Sequence, residues 1–278
     1  MCGTYVTAVI TMGQQLQTDT EILEELKHFH DCIDPSVDSK LRAGGEEGLT
    51  NQTLRRWLVA RKMNIQVAKA DLEKHADWRS VHVPNGRICE EEVQDNLDDK
   101  KNFLQGFDKH GNPVMIVYVA RHVPKKLESI SKYICYCLDS CERLGQTNPN
   151  WGGKYIGMLY LTGMTLANYD VTGLRAIFDM LQNHFPERLE CMYLYDAPMI
   201  FYALWKVVSP FVDPVTRKKV VFVYPKDVET VLHASIPKEI LPAELGGTGQ
   251  WLKVKSAWEL ILEGSVDVFT QGGHGATA

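Results

Sequence analysis

Hydrophobic positions along the chain follow two different rhythms, and the change from one to the other divides it. From Gln14 to His30 the apolar residues Ile22, Leu23 and Leu26 recur at helical spacing and predict an amphipathic helix. Thr50 is placed to cap a second helix, with Leu54, Trp57 and Leu58 on one stripe and Arg61 just beyond it. Asn64 is placed to cap a third, in which Ile65, Ala68, Leu72 and His75 share a face. Residues 1–13 read as a loose N-terminus. Residues 34–49, rich in Asp, Ser and Gly, read as a loop. Residues 14–100 are therefore expected to form a helical lobe.

After Lys101 short apolar runs alternate with helical patterns. Residues 102–107 and 113–119 flank Asp108-Lys109-His110-Gly111-Asn112, a hairpin signal with a glycine in the turn. A long helix follows, with Leu127, Ile130, Ile134, Cys137, Cys141 and Leu144 on one stripe. Then come a strand near Tyr155–Leu161, a helix near Val171–Phe185, a strand at Cys191–Ala197 and a helix at Ile200–Val208. The strand Lys218–Tyr224 and a closing helix at Ser256–Glu263 complete the order. Strands alternating with helices predict an α/β fold with a mostly parallel sheet over residues 101–264. Val220–Tyr224 is apolar on both sides, as a strand covered on both faces would be. The small polar tail at 265–278 is expected to be disordered.

Composition narrows the function. The chain has 278 residues and a formal net charge of −5, which argues against a nucleic-acid partner. Its seven cysteines are scattered, as in a reduced, cytoplasmic chain. No stretch offers the roughly 20 apolar residues of a spanning helix, so membrane contact is expected to be peripheral and transient. The sequence holds no G-x-S-x-G, P-loop or dinucleotide fingerprint, and no enzymatic activity, catalytic residue or cofactor is expected. Cys135-x-Cys137-x₃-Cys141 lacks a C-x₂-C pair and puts two of its thiols on the buried stripe of a helix, so no metal site is expected.

The most informative stretch is Pro198–Lys219. Its helix is apolar almost all round, with Lys206 the only charge, and Pro198 and Pro210 bracket it. Such a helix is either core or an apolar segment that meets lipid. Asp213-Pro214 is a helix-start signal, and Thr216 and Lys219, three apart, share one side of the turn it begins. Pro186-Glu187-Arg188 leads into a strand. A glutamate and a lysine at strand ends can meet at a pocket, or be ordinary surface charges.

FPERLECMYLYDAP, SPFVDPVTRKKVVFV and IPKEILPAELGG resemble the lipid-binding core of the CRAL-TRIO family. TLRRWLVARKMNIQVAKADLEKHADWR resembles its N-terminal helical lobe, and GFDKHGNPV and GMLYLTGM fit the family order. The resemblance spans roughly residues 50–263 and is nearest to the branch that transfers phosphatidylinositol. It implies a hydrophobic lipid pocket and a monomeric carrier that exchanges phosphatidylinositol between membranes and presents it to lipid kinases. It implies that Thr216 and Lys219 hold the phosphate and Glu187 the inositol hydroxyls, with Arg61 and Lys62 closing the site. It makes Met199–Val208 part of a gate, with Phe201, Leu204, Trp205, Val208 and Phe211 as its apolar residues. The Ser-x-Thr pair of choline-lipid-binding members is replaced by Tyr155-Ile156-Gly157, leaving the identity of any second lipid open. The rival readings are an enzyme, a carrier of a tocopherol-, retinoid- or sterol-like molecule, and a module that reads phosphoinositides.

Overall fold

The computed structural model describes residues 19–264, and the expected loose N-terminus and disordered tail lie outside them. The chain divides into two compact units between Val81 and His82. Residues 82–100, assigned from the sequence to the helical lobe, therefore cluster with the second unit.

The first unit is built from helices α1 (Asp19–Cys32), α2 (Ser36–Ala43), α3 (Asn51–Ala60) and most of α4 (Ile65–His82). Thr50 caps α3, its hydroxyl accepting from the Thr53 N–H at 3.2 Å, and Asn64 Oδ1 accepts from the Val67 N–H at 3.1 Å at the start of α4. Leu26, Phe29, Leu54, Trp57, Leu58 and Leu72 form the core of this unit. Two expectations fail here. Leu23 is exposed, and Phe29 takes the inward position one turn beyond Leu26. The expected loop at 34–49 contains α2, an eight-residue helix anchored by buried Val37 and Leu41. Two buried apolar residues in eight are too few to stand out from the polar background of that stretch.

The second unit begins with a helical turn, α5 (Gln94–Leu97), and a hairpin of β1 (Asn102–Phe107) and β2 (Pro113–Tyr118). Asp108 organises the turn: its Oδ1 accepts from the N–H groups of His110 at 2.9 Å and Asn112 at 2.7 Å. Gly111 there has φ +81°, the left-handed conformation glycine adopts without steric cost. Then come α6 (Leu127–Gln146), β3 (Tyr155–Tyr160), α7 (Val171–Asn183), β4 (Leu189–Tyr195), α8 (Met199–Val208), α9 (Pro214–Lys218) and β5 (Val220–Val223), with α10 (His233–Ser235) and α11 (Val254–Leu262) closing the chain. The sheet runs β1-β2-β3-β4-β5, antiparallel between β1 and β2 and parallel thereafter.

Alternation along the strands gives the sheet two different faces. On one, Val114, Ile116, Ile156, Cys191 and Tyr193 pack against the C-terminal segment through Leu232, Ile236, Leu241 and Leu245. The other face carries Met115, Val117, Gly157, Leu159 and Met192, and these line a cavity. The stripe expected on α6 faces inward from Ile130 onward, while Leu127 in its first turn is exposed. β5 is a second correction: Val220, Val221 and Phe222 are only half-buried. β5 stands at the edge of the sheet, where covering elements reach one side less fully than in the centre.

Candidate functional site

The cavity lies between the sheet and helices α6, α7 and α8, with about 1040 Å³ of empty space, part of it open to solvent. Its wall is mostly aliphatic and aromatic: Ile130, Ile134, Leu174, Ile177 and Leu181 from the helices, with Tyr155 and Leu159 from β3. Gly157 contributes space. A Cβ there would meet Met192 Cε at 2.8 Å and Sδ at 2.9 Å, so any side chain must push the methionine aside. Gly157 thus leaves its part of the β3 wall wider and less polar than a threonine there would, while Tyr155, two residues earlier, lines the cavity with a bulkier phenol.

Cys137 also lines the wall, and burial pushes its thiol up to about 12. Burial also raises Cys141. Both remain protonated near neutral pH and pack as small apolar residues.

Helix α8 closes one side. Phe201 and Leu204 line the cavity, and Val208 is fully buried below them. Trp205 is half-buried, its ring 5.7 Å from that of Phe178 on α7. Tyr202 stacks on Phe222 at 5.2 Å, and its hydroxyl hydrogen-bonds that of Tyr224. These contacts hold α8 between α7 and β5. Its other side presents Met199 (83% exposed) and Val207 to solvent, with Lys206 beside them. Phe211, in the short turn after α8, is 55% exposed, and the Arg175 guanidinium lies 4.1 Å from its ring centre. The residues predicted for the gate therefore split: Phe201, Leu204 and Val208 point inward, Trp205 bridges, and Phe211 faces out.

Three of the five predicted headgroup residues come together where β4 and β5 begin. Phe185-Pro186-Glu187-Arg188 forms a turn closed by the Arg188 N–H donating to the Phe185 carbonyl at 3.3 Å. Pro186 sits at its second position and Glu187 at its third, with φ +57°. That is the place in a type II turn that glycine usually fills, so a glutamate here carries a backbone cost. On the other side, Asp213 caps α9 by accepting from the Val215 and Thr216 N–H groups at 2.7 and 3.2 Å. The Thr216 carbonyl then accepts from the Lys219 N–H at 3.0 Å, which fixes the pair on one turn. Lys219 Nζ donates to the Leu189 carbonyl at 2.8 Å and stands 3.6 Å from Glu187 Oε2. Neither charged side chain lines the cavity itself. Leu189 does, so the ion pair meets the cavity through that residue.

Arg61 and Lys62 belong to the first unit. Arg61 makes an ion pair with Asp71 and lies over the Trp57 ring, 5.6 Å from its centre. Lys62 is exposed, with φ +52°, because it ends α3: the Met63 N–H reaches back to the Leu58 carbonyl at 2.8 Å. Its left-handed backbone is explained by the helix end alone, unlike that of Glu187.

Sequence reasoning missed the polar corner of the cavity. Lys101, only 4% exposed, donates to Asn96 Oδ1 at 3.0 Å, Asp99 Oδ2 at 2.8 Å and His122 Nδ1 at 3.3 Å. His122 Nε2 in turn donates to Asp170 Oδ2 at 2.9 Å. Burial lowers the pKa of both Lys101 and His122. The members come from three separate segments, 96–101, His122 and Asp170, so no local motif announces them.

A five-stranded, mostly parallel sheet with one face packed and the other walling an apolar cavity defines an α/β protein with an internal ligand chamber. The family model described as CRAL/TRIO domain matches residues 97–247, and the chain belongs to that family. It is 26% identical over 237 residues to the SEC14 cytosolic factor of Candida glabrata, covering 76% of each chain. It is 27% identical over 250 residues to the phosphatidylinositol transfer protein CSR1 of Eremothecium gossypii, covering 83% of this chain and 55% of that one. The chain spans as little as 19% of the length of another curated relative. Among solved structures, that of Sfh5 superposes with a TM-score of 0.61 at 15% identity, over 91% of this chain and all of that one, which supports the fold. Among the described residues, no helix is long and apolar enough to cross a membrane.

Proposed function

We propose that this chain carries one phosphatidylinositol with its acyl chains in the cavity and exchanges it between membrane surfaces. Glu187, Thr216 and Lys219 bind the headgroup, Lys219 and Thr216 on the phosphate side and Glu187 on the inositol hydroxyls. Arg61 and Lys62 contribute through the resemblance of their segment to the family. The observation that carries the reading is an apolar chamber reached, through Leu189, by a lysine–glutamate pair at the strand ends. A phosphate would replace the Glu187 carboxylate as partner of the Lys219 ammonium, and the displaced carboxylate would turn to hydroxyl donors. The similarity to a phosphatidylinositol transfer protein points the same way.

Helix α8 serves as the gate in this proposal. Its inner residues seal the chamber, and Met199, Val207 and Phe211 give it an outward apolar edge beside Lys206 and Arg217. Apolar side chains next to basic ones suit the surface of an anionic membrane. The carrier acts as a cytoplasmic monomer with lipid kinases as users of the delivered inositol lipid.

Native mass spectrometry of the purified protein, with extraction of the bound lipid, tests this directly. One phosphatidylinositol per chain is the expected result. A neutral apolar molecule in its place would remove the role given to Glu187, Thr216 and Lys219. A protein that stays empty after incubation with mixed liposomes would overturn the carrier reading altogether.

A further inference from the structure

Helix α8 is held differently along its two halves. The N-terminal half is fastened to β5. Just before the helix, the Asp196 N–H donates to the Val223 carbonyl at 2.8 Å. Tyr202 stacks on Phe222, and the Tyr202 and Tyr224 hydroxyls hydrogen-bond each other. The C-terminal half meets α7 instead. Trp205 packs against Phe178, and beyond the helix end the Arg175 guanidinium lies 4.1 Å from the centre of the Phe211 ring.

Both partners of that last contact are at the surface. Arg175 is exposed, and Phe211 is 55% exposed. Asp179 stands one turn on from Arg175 along α7, at the spacing of a helical ion pair. Among the described residues Arg175 nevertheless makes no ion pair, and its guanidinium rests on the Phe211 ring. Asp213, the acid nearest Phe211 in the chain, is committed to capping α9 through the Val215 and Thr216 N–H groups. Arg175 therefore keeps its fork of N–H donors open to an anion with two oxygens in one plane.

In water a cation on a ring is a serviceable arrangement for both groups. At an anionic membrane each finds a better partner. A lipid phosphate accepts charge-assisted, two-pronged hydrogen bonds from a guanidinium, which are stronger than an exposed cation–π contact. The phenyl ring exchanges water for acyl chain. In phosphatidylcholine each phosphate is already offset by its own choline, so the negative surface of an anionic lipid supplies the drive.

We propose that Arg175 and Phe211 form a clasp released by anionic lipid: the guanidinium leaves the ring for a lipid phosphate, the ring inserts, and the C-terminal half of α8 swings away from α7. Tyr202 and Asp196 keep the other half on β5 and make it the pivot. Arg175 acts here as a positioning residue for the gate and as a headgroup site separate from Lys219. The inference rests on the reading of α8 as the gate of a phospholipid carrier.

Two measurements on the full chain test it. Without membranes, hydrogen exchange of the Trp205–Val208 amides reads the clasp itself. Arg175→Gln and Phe211→Leu should each speed that exchange by about two- to fivefold, the size of an exposed cation–π contact. The double variant should exchange no faster than either single one, because both remove the same contact. With membranes, release of a bound fluorescent phospholipid is followed at saturating vesicle concentration, so that differences in membrane affinity cancel. The wild type should release about fivefold or more faster to phosphatidylcholine vesicles containing phosphatidylserine than to phosphatidylcholine alone. In Arg175→Gln that ratio should fall to within about twofold of unity, and Arg175→Lys should restore part of it. Inorganic phosphate added with neutral vesicles at matched ionic strength should not reproduce the effect, since it offers the ring no apolar phase.

A wild-type ratio near unity would overturn the proposal, as would a ratio unchanged in Arg175→Gln. Additive effects of the two single variants on exchange would show that the ring and the guanidinium act independently, and would also overturn it. So would stimulation by free phosphate, which would make Arg175 a site for soluble anions. A chain that takes up no phospholipid overturns the carrier reading and the clasp with it; normal uptake with any of the other failures sinks the clasp alone.

Discussion

Lys219 Nζ holds two partners at once, the Leu189 carbonyl at 2.8 Å and Glu187 Oε2 at 3.6 Å. The first is a short bond to the backbone of a cavity-lining residue; the second is a looser contact that an incoming phosphate can displace. Lys219→Ala removes the cation from the strand ends without touching either hydrophobic core. Hydrogen bonds to charged groups are worth about 1.5–3 kcal/mol, so phosphatidylinositol transfer should fall by about tenfold to a hundredfold. Vesicle-to-vesicle transfer paired with thermal unfolding checks this. Unchanged transfer would remove Lys219 from the site.

Glu187 offers a sharper contrast because its backbone and its side chain make opposite demands. With φ +57°, the position favours glycine, and a side chain there costs about 1–2 kcal/mol of local strain. Glu187→Gly should therefore leave global stability unchanged or raise it by up to about 1 kcal/mol, allowing for the greater unfolded-state entropy of glycine. Phosphatidylinositol transfer should fall in the same protein. Urea unfolding and a transfer assay on one preparation separate the two effects. A stability loss of more than about 1 kcal/mol would mean that the carboxylate is held for structural reasons.

The parts of this architecture that were legible in the sequence are those with local signals. The Thr50 and Asn64 caps, the Asp108–Asn112 hairpin turn and the Asp213-Pro214 helix start each depend on residues within a few positions of one another. The order of strands and helices followed from their periodicity. Helix α2 was not legible, because it is short and held by two buried residues. In the first unit, Glu46 was hidden in the same apparent loop. Its carboxylate meets His75 at 2.8 Å and Arg79 at 3.4 Å, across about thirty residues of chain. The Lys101–His122–Asp170 corner escaped for the same reason. Long-range polar networks leave no spacing to read, and only folding brings their members together.

Gly157 tests whether the chamber volume matters. Its missing side chain faces the flexible end of Met192, which can be displaced into the cavity without moving the backbone. Gly157→Leu should therefore fold, with the new side chain and the displaced methionine occupying lipid space. Lipid recovered per chain by native mass spectrometry should drop by at least half. Full occupancy in the variant would show that the ligand does not reach the β3 wall.

Met199 and Phe211 form the most exposed part of the apolar edge around α8. Replacing both with aspartate places negative charge where membrane insertion is proposed and leaves the inward residues Phe201, Leu204 and Val208 untouched. Cosedimentation with vesicles containing anionic lipid should weaken by about tenfold or more, from the lost apolar burial and the added repulsion. Lipid already in the chamber should be retained. Unaltered cosedimentation would place the membrane-facing surface elsewhere.

His122 gives the fold a dependence on acid whose sign follows from its surroundings. Burial lowers its pKa from the ordinary 6.5; the Asp170 hydrogen bond opposes that shift without overcoming it, and Lys101 adds to it. The folded protein therefore favours neutral imidazole, which accepts from Lys101 at Nδ1 and donates to Asp170 from Nε2. In the unfolded chain the same ring takes up a proton near its ordinary value. The contribution is thus fully present above about pH 6.5 and is lost as pH falls from there through the lower folded value. Urea unfolding from about pH 7.5 down to about pH 5 should show stability declining with acidification, and His122→Gln should flatten that part of the profile. The variant should also be less stable near neutral pH, because glutamine cannot make both contacts with the same geometry. A profile of the same slope in the two proteins would mean that other groups carry the acid dependence and that the Lys101–His122–Asp170 chain does not.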